Sequence, residues 1–237
     1  MWPQSPLFTR MPSMSPPRRL AVLASGQGSN FAAVLAAIND QRIAGEVVGL
    51  LSNKPDCGAV AIARDAGIPI WSSRPADHAS REAFDESLFT ELDRIQPELI
   101  LCAGYMRIIG DSFVERWTGR MINLHPSLLP AYPGLHTHAR ALADGVREHG
   151  ASVHFVTPEL DGGPVIAQAR IAVTESDTPE SLAERLRPRE HALFCAVTSA
   201  ICDGRVGWAN GQVSHRGSAL RAPLLLDRND QLAEQPA

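Results

Sequence analysis

The sequence lacks an excess of basic residues and any long run of apolar residues. Of its 237 residues, 22 are lysine or arginine and 26 are aspartate or glutamate, so the formal net charge is −4. A net negative chain is a poor candidate for wrapping nucleic acid, and no stretch approaches the roughly 18 apolar residues of a membrane span. We therefore expect no nucleic-acid partner, no membrane association and a cytoplasmic location.

Cysteine is scarce, and its spacing is not that of a disulfide framework. The four cysteines form no C-x-x-C pair and stand at positions 57, 102, 195 and 202. A chain of this length can bury a core without disulfides, so we expect reduced thiols. Hydrophobic residues make up 44% and charged residues 20% of the chain, which is typical of one globular domain with tails.

The N-terminal segment lacks acidic residues and an apolar centre. Its first twenty residues contain five prolines but no apolar run of about 7 to 15 residues, which a secretory signal requires. The same prolines oppose the amphipathic helix of an organelle transit peptide. We therefore expect a disordered extension over residues 1–18, a folded domain over 19–208 and a loose C-terminal tail over 209–237.

The first half of the chain alternates short apolar runs with segments of helical spacing. The apolar runs are continuous and do not alternate with polar residues, which indicates strands covered on both faces. This pattern predicts a single α/β domain with a doubly wound, mostly parallel sheet of Rossmann type. The predicted strands cover 20–24, 47–51, 68–71, 99–103 and 120–124, and the predicted helices cover 31–38, 59–66, 81–95 and 111–117.

The pattern changes after residue 150. Two apolar strands, 152–157 and 165–173, are joined by a turn too short for a crossover helix, which predicts an antiparallel hairpin. A final helix follows from about Thr178 to Cys202. Pro188 lies inside this helix and cannot donate a backbone hydrogen bond, so we expect a break or kink near Arg187.

A glycine-rich loop, Ser25-Gly-Gln-Gly-Ser-Asn30, joins the first predicted strand to the first predicted helix. Glycines let the backbone approach a ligand, and a helix N-terminus favours an anion such as phosphate. An ordinary tight turn fits the same residues. The dinucleotide pattern G-x-G-x-x-G fails, because Phe31 replaces its third glycine and the second strand ends in Ser52-Asn53 without an acid. An NAD-dependent dehydrogenase is therefore disfavoured.

Two polar residues end the fifth predicted strand, at the edge where open α/β sheets bind ligands. Asn123 and His125 are two residues apart and so face the same side of the strand. Their N–H groups could donate to a developing oxyanion, and one such donor typically contributes about 2.7 to 4 kcal/mol. The alternative is that Asn123 caps a turn and His125 is a buried structural histidine.

Asp161 lies at the tip of the predicted hairpin, directly before two glycines. Beside His125, its carboxylate would raise the pKa of the imidazole and keep it cationic, although aspartate is also a common turn residue. No metal is expected, because the remaining histidines share no ligand spacing with a cysteine or carboxylate. We interpret His154 as structural, and a serine nucleophile is disfavoured because G-x-S-x-G is absent.

Five segments occur in an order and at a spacing more specific than any one of them. They are Gly26-Gln-Gly-Ser-Asn30, Ala103-Gly-Tyr-Met-Arg-Ile-Ile109, Asn123-Leu-His-Pro-Ser-Leu-Leu-Pro130, Tyr132-Pro-Gly-Leu-His-Thr-His138 and Glu159-Leu-Asp-Gly-Gly-Pro164. Together they resemble the phosphoribosylglycinamide formyltransferase family over about residues 19–208. The resemblance implies a formyltransferase-like fold and direct transfer of a formyl group from 10-formyltetrahydrofolate to the primary amine of glycinamide ribonucleotide, without an acyl-enzyme. These small molecules would be its partners, and we expect a monomer or a homodimer.

The resemblance also implies a role for each residue of the site. Asn123 and His125 would hold the oxyanion of a tetrahedral intermediate, while Asp161 would keep His125 charged and assist proton movement through water. For the nucleotide, the implied residues are Gly28, Ser29, Asn30 and Glu190; for the folate, Met106, Arg107, Ile108, Ile109, Val156 and Thr157; and His136 would support the site.

The chain departs from the family pattern at Arg187-Pro188, near the expected ribose contacts. The planar guanidinium of Arg187 suits a phosphate and could add a contact to the nucleotide, or it could be solvated. We therefore include Arg187 among the candidate substrate-binding residues.

Three other functions remain as alternatives. Methionyl-tRNA formyltransferase and formyltetrahydrofolate hydrolase share the fold and a similar Asn, His and Asp set. The first would need a further RNA-binding domain and the second usually has an N-terminal regulatory domain, and we expect the two tails to be too short for either. A non-catalytic module that senses a nucleotide or a folate would need the glycine loop but not all three polar residues.

Overall fold

The computed structural model of the chain describes residues 16–235. The expected N-terminal extension lies outside the described residues except for its last three, and Arg18 already begins the first strand. The strands are β1 Arg18–Leu23, β2 Gly45–Ser52, β3 Ile70–Ser72, β4 Leu99–Cys102, β5 Met121–His125, β6 Glu148–Phe155, β7 Val165–Ala172, β8 Val206–Ala209, β9 Gln212–His215, β10 Ser218–Ala219, β11 Leu224–Leu226 and β12 Leu232–Ala233. The helices are α1 Ser29–Asn39, α2 Gly58–Asp65, α3 Arg81–Ile95, α4 Asp111–Arg116, α5 Thr137–Ala143 and α6 Pro179–Cys202.

The main sheet has nine strands in the order β12-β11-β7-β6-β5-β4-β1-β2-β3. The strands from β3 to β5 are parallel, whereas β6 is antiparallel to both of its neighbours. The predicted mostly parallel sheet, the hairpin β6–β7 and the long helix α6 are therefore confirmed. The chain winds outward from β1 to β3 and then returns to β4, so the carboxyl ends of β1 and β4 border the crevice where such sheets bind ligands.

Both faces of the central strands are covered, as the continuous apolar runs predict. Along β1, Leu20 and Val22 pack into one apolar cluster with α1, α2 and α6, while Ala21 and Leu23 pack into another with α3 and α4. All four side chains are fully buried. The sheet is thus a rigid middle layer, and its polar side chains at the carboxyl edge are held by packed strands.

Of the predicted break or kink in the last helix, the break is wrong, and a kink near Arg187 stays a prediction. Helix α6 runs without interruption from Pro179 to Cys202, with Pro188 inside it. Pro188 and Glu184 are both exposed, so the Glu184 carbonyl that loses its N–H partner faces the solvent side of the helix, where water can satisfy it. The rest of α6 is fixed by its buried apolar face.

The predicted loose tail is also wrong for the residues that the structure describes. Strands β8, β9 and β10 form a separate antiparallel sheet, and β11 joins the main sheet parallel to β7. Leu224 and Leu226 are buried. Strands of two to four residues between glycines and polar residues carry too short a pattern to be recognised in sequence. No helix within residues 16–235 is long and apolar enough to cross a membrane.

We expect Leu224→Ala to lower the free energy of unfolding by about 2 to 5 kcal/mol, because it removes a fully buried side chain from the added strand. Leu225→Ala is the matched control, since Leu225 is only half-buried, and it should cost less. Chemical denaturation measures both. A change within about 0.5 kcal/mol for Leu224→Ala, as at an exposed position, would show that the C-terminal segment is loose.

Candidate active site

The polar residues singled out from the sequence meet at the carboxyl end of β5. Asn123 and His125 lie on this strand, and Asp161 lies in the turn between β6 and β7. The Nδ1 atom of His125 is 3.4 Å from Oδ2 of Asp161. His154, on β6, pairs directly opposite Asn123 in the strand register. The structure thus brings the three candidate catalytic residues together and adds a fourth residue to them.

The hairpin turn directs Asp161 towards this cluster. Asp161 has a φ of 52°, in the left-handed region that non-glycine residues rarely adopt. At Gly163, an added Cβ would lie 1.8 Å from the carbonyl oxygen of Phe155, so only glycine allows the hairpin to close. The Asp161 Oδ2 atom accepts a 2.8 Å hydrogen bond from the backbone N–H of Gly134. This bond links the hairpin to the loop after β5.

Asp161 remains ionised inside the protein. Burial raises the pKa of its carboxyl group, but the nearby His154, the hydrogen bond from the Gly134 N–H and the nearby His125 outweigh burial and lower the pKa below its ordinary value. Its side chain is only 9% exposed. A buried carboxylate of this kind needs such partners to keep its charge.

His125 is held by contacts on both ring nitrogens. Its Nε2 atom donates a 2.9 Å hydrogen bond to the carbonyl oxygen of Tyr132, so Nδ1 is the nitrogen that faces Asp161. Burial lowers the pKa of His125 more than the Tyr132 carbonyl and the Asp161 charge raise it. In the free protein the net pKa of His125 therefore lies below its ordinary value, and the expectation that Asp161 keeps His125 cationic stays a prediction. The Nδ1 atom of His125 faces the Asp161 carboxylate.

Asn123 is oriented by His154. The Nδ1 atom of His154 donates to the carbonyl oxygen of Phe155 at 2.9 Å, which leaves Nε2 as an acceptor for the Asn123 amide at 3.2 Å. An amide NH₂ group has two N–H donors, so the second can point into the site. His154 also lies 3.6 Å from Asp161. The interpretation of His154 as purely structural missed these contacts; the antiparallel register of β5 and β6 is the signal that places it opposite Asn123.

The glycine loop has the geometry of an anion site. Gly28 has a φ of 80° and precedes α1, and an added Cβ would lie 2.7 Å from Cα of Ala59. Among the described residues, no side chain caps the first N–H groups of α1. The Oδ1 atom of Asn30 is buried without a hydrogen-bond partner within residues 16–235, while Ser29 is exposed. These free donors and this free acceptor fit a phosphorylated, hydroxyl-bearing ligand.

Ser25 connects the glycine loop to the loop that follows β4. Its hydroxyl donates to Oδ1 of Asn53 at 2.5 Å and accepts from the backbone N–H of Met106 at 2.9 Å. Its own N–H donates to the Gly104 carbonyl at 3.0 Å. Because the Asn53 oxygen is engaged in this buried bond, it is not directed at a ribose, which agrees with the poor match to a dinucleotide site.

The candidate folate loop alternates its side chains between solvent and core. Met106 and Ile108 are 67% and 59% exposed, whereas Ile109 is buried. The guanidinium carbon of Arg107 lies 4.7 Å from the centre of the Phe84 ring, so this side chain points inward. Exposed large apolar residues beside a polar cluster indicate a binding surface for an apolar ring. Arg107 and Ile109 could contact a ligand there through their backbone.

The remaining candidate residues lie at the edges of the same region. Val156 and Thr157 directly follow β6 and are half-buried. His136 is exposed and precedes α5, a helix that the sequence pattern did not reveal. Within the described residues, His136 makes no side-chain hydrogen bond to the polar cluster, so its supporting role stays a prediction. No group of three histidines, cysteines or carboxylates within residues 16–235 could hold a metal ion.

The described geometry agrees with the comparisons with known proteins. The formyl transferase family profile matches residues 18–198. The chain belongs to the formyl transferase family. It is 45% identical to the phosphoribosylglycinamide formyltransferase of Escherichia coli, over 81% of this chain and 94% of that protein. The Bacillus subtilis protein of the same name is 36% identical, over 78% of this chain and 94% of that protein.

Solved structures of the formyl transferase family show the same fold. The phosphoribosylglycinamide formyltransferase of Coxiella burnetii has a TM-score of 0.82 and 41% identity, and the match covers 92% of this chain and all of that one. A formyltetrahydrofolate deformylase from Pseudomonas syringae has a TM-score of 0.78 at 24% identity, covering 85% of this chain and 67% of that one. The second match shows the fold alone.

Glu190 lies on α6 and is the residue expected to contact the ribose. Its carboxyl group has a raised pKa. Burial raises the pKa of its carboxyl group to about 7, although Arg187 and a hydrogen bond from Asn30 lower it. Glu190 is half-buried. Arg187 is exposed on the same helix. Glu190 and Asn30 thus connect α6 to the glycine loop.

This environment predicts a pH dependence of stability. Because the folded pKa of Glu190 lies above its unfolded value, its contribution is fully present below about pH 4.5 and is lost as the pH rises through about 7. Relative to Glu190→Gln, the free energy of unfolding of the wild type should therefore fall between about pH 5 and about pH 8. Denaturant titrations at both pH values measure it, with Glu184→Gln on the exposed face as control. If the difference in free energy of unfolding between the wild type and Glu190→Gln does not change with pH, the raised pKa of Glu190 is contradicted.

Proposed function

We propose that this protein transfers the formyl group of 10-formyltetrahydrofolate to the primary amine of glycinamide ribonucleotide, and that it does so in the cytoplasm. The observation that carries the proposal is the convergence of Asn123, His125 and Asp161 at one sheet edge, between an anion-binding loop and an exposed apolar loop. The relatives from Escherichia coli and Bacillus subtilis are named for this activity.

The nucleotide would bind along the N-terminus of α1. The free N–H groups after Gly28 and the side chain of Ser29 would hold its phosphate. The free Oδ1 of Asn30 and the carboxyl group of Glu190 would accept hydrogen bonds from ribose hydroxyls, and the buried Asn30 oxygen needs such a partner. Arg187 would lie close enough to the phosphate to add a charged contact. This arrangement points the amine end of the substrate towards β5.

The folate substrate would bind on the other side of the cluster. The exposed side chains of Met106 and Ile108 offer an apolar surface to a flat ring, and backbone groups from Arg107 to Ile109 would bond to its polar edge. Val156 and Thr157, where the chain leaves β6, would form the opposite wall. This pairing of an apolar wall with a few fixed polar groups is typical of small-molecule sites. The formyl group would then lie near Asn123.

The geometry supports direct transfer between the two substrates. As the amine nitrogen bonds to the formyl carbon, the carbonyl oxygen becomes negatively charged, and the second N–H of Asn123 would donate to it. His125 would take up at Nδ1 the proton that the attacking amine loses and become cationic beside this charge, with Asp161 stabilising the cation. Breaking the carbon–nitrogen bond to the folate would complete the transfer, and the same proton would pass from His125 through water near Asp161 to the leaving nitrogen.

A spectrophotometric assay tests this proposal directly. Purified protein is mixed with a 10-formyl folate, with or without glycinamide ribonucleotide, and the folate product is followed. We expect turnover only when the nucleotide is present, because its amine is the acceptor. Equal product without the nucleotide would identify a hydrolase, and no product in either mixture would favour a non-catalytic binding module; both outcomes would overturn the proposal.

We expect Asn123→Ala and His125→Ala each to lower kcat by about 10² to 10³, because each removes one group that stabilises the oxyanion. Steady-state kinetics with both substrates saturating measures the loss. His215→Ala is a matched control, since His215 bonds to Glu234 in the C-terminal segment and should leave kcat unchanged. If the kcat of either variant stays within a few-fold of the wild-type kcat, the substituted residue has no part in the mechanism.

A further inference from the structure

The side chain of Arg189 connects α6 to the C-terminal segment. We call residues 226–230 the C-terminal turn. One terminal nitrogen of Arg189 donates to the carbonyl oxygens of Leu226 and Asp227 at 2.9 and 2.8 Å. The other lies 2.8 Å from Oδ1 of Asp230. The Arg189 side chain is only 24% exposed, so this forked, charge-assisted contact is partly shielded from water.

The C-terminal turn is itself firmly held. The Oδ1 atom of Asp227 accepts hydrogen bonds from the backbone N–H groups of Asn229 and Gln231 at 2.8 and 2.9 Å. The turn follows β11, which is hydrogen-bonded to β7 of the main sheet, and Leu226 is buried at its start. A side chain bound to this turn is therefore bound to the rigid sheet. The turn lies beyond residues 18–198, the part that the family profile matches.

Arg189 directly follows Pro188, the position at which α6 lacks a backbone hydrogen bond. Pro188 removes one backbone hydrogen bond of the helix, and its ring crowds the preceding turn, which ordinarily kinks or breaks a helix. The helix nevertheless continues through this position. The residues on either side of the Pro188–Arg189 pair are Arg187 and Glu190, the two that would contact the nucleotide. A break at Pro188 would therefore displace both from the glycine loop.

We propose that Arg189 and the C-terminal turn form a clamp that holds the proline-containing turn of α6, so that Arg187 and Glu190 keep their positions at the nucleotide site. Arg189 is a positioning residue in this account, because it bonds to the C-terminal turn and not to the nucleotide. The proposal rests on the proposed function, since it assumes that α6 contacts the nucleotide. It gives the segment beyond the family profile a part in substrate binding.

The first test is the kinetics of Arg189→Leu. We expect the KM for glycinamide ribonucleotide to rise about tenfold, as for the loss of one charged hydrogen-bond network, with kcat and the KM for the formyl folate unchanged. Arg185→Leu is the matched control, because Arg185 makes a similar forked contact from α6, to Asp177 and the Ala172 carbonyl. It should leave the nucleotide KM unchanged. An unaltered nucleotide KM in Arg189→Leu would overturn the clamp.

A rescue experiment separates positioning from general destabilisation. Pro188→Ala restores the missing helix hydrogen bond, so the double variant Pro188→Ala/Arg189→Leu should recover the nucleotide KM of the wild type. A double variant as impaired as Arg189→Leu would contradict the proposal. Arg189→Lys serves as a milder variant, because an ammonium group cannot reproduce the planar fork; it should raise the nucleotide KM by less than Arg189→Leu does.

Hydrogen exchange tests the clamp without any substrate. In Arg189→Leu, the amide protons of residues 186, 187 and 189–192 should exchange faster than in the wild type, and Pro188→Ala should reverse this. Exchange unchanged by Arg189→Leu would overturn the clamp. If the wild type shows no nucleotide-dependent turnover, the proposed function fails, while faster exchange in Arg189→Leu would still support the clamp on α6.

Discussion

A buried carboxylate at the tip of a hairpin is the constraint on which the site depends. Asp161 is almost entirely enclosed, and a charge in such a place is stable only if donors surround it. Three separate segments meet at this charge: the loop after β5 donates the Gly134 N–H to it, while ring nitrogens of His125 on β5 and His154 on β6 lie 3.4 and 3.6 Å from it. Satisfying this one charge therefore fixes the relative positions of those segments, and with them the orientation of the groups that would stabilise an oxyanion.

The parallel sheet places this constraint next to two binding loops. The carboxyl ends of β1, β4 and β5 meet at one edge, so the glycine loop, the apolar loop and the polar cluster are neighbours although they are far apart in sequence. Ser25 ties the first two together through its hydroxyl and its N–H. Because the strands beneath are packed on both faces, the loops rest on a support that does not adjust easily. Such preorganised support is what electrostatic stabilisation of a transition state requires.

The sequence was sufficient for features that a local pattern encodes. Period-two spacing identified Asn123 and His125 as neighbours on one face, and the hairpin with its glycines identified Asp161. Features that depend on non-local pairing were missed: the contact of His154 with Asn123 follows from strand register, and the short C-terminal strands exist because β7 offers them an edge. The helix break expected at Pro188 did not occur. The prediction failed because neither the solvent exposure of that turn nor the contact of Arg189 with the C-terminal turn can be read from local pattern.

The central claim is that His125 and Asp161 act as one unit. A double-mutant cycle on kcat/KM tests it most directly, with the wild type, His125→Ala, Asp161→Ala and the variant that carries both substitutions. Because Asp161 would act by stabilising the charged form of His125, its loss should matter little once the imidazole is gone. We predict that the double variant loses no more than about threefold beyond the more impaired single variant, as expected for coupled groups. Losses in the two single variants that multiply in the double variant would contradict the account.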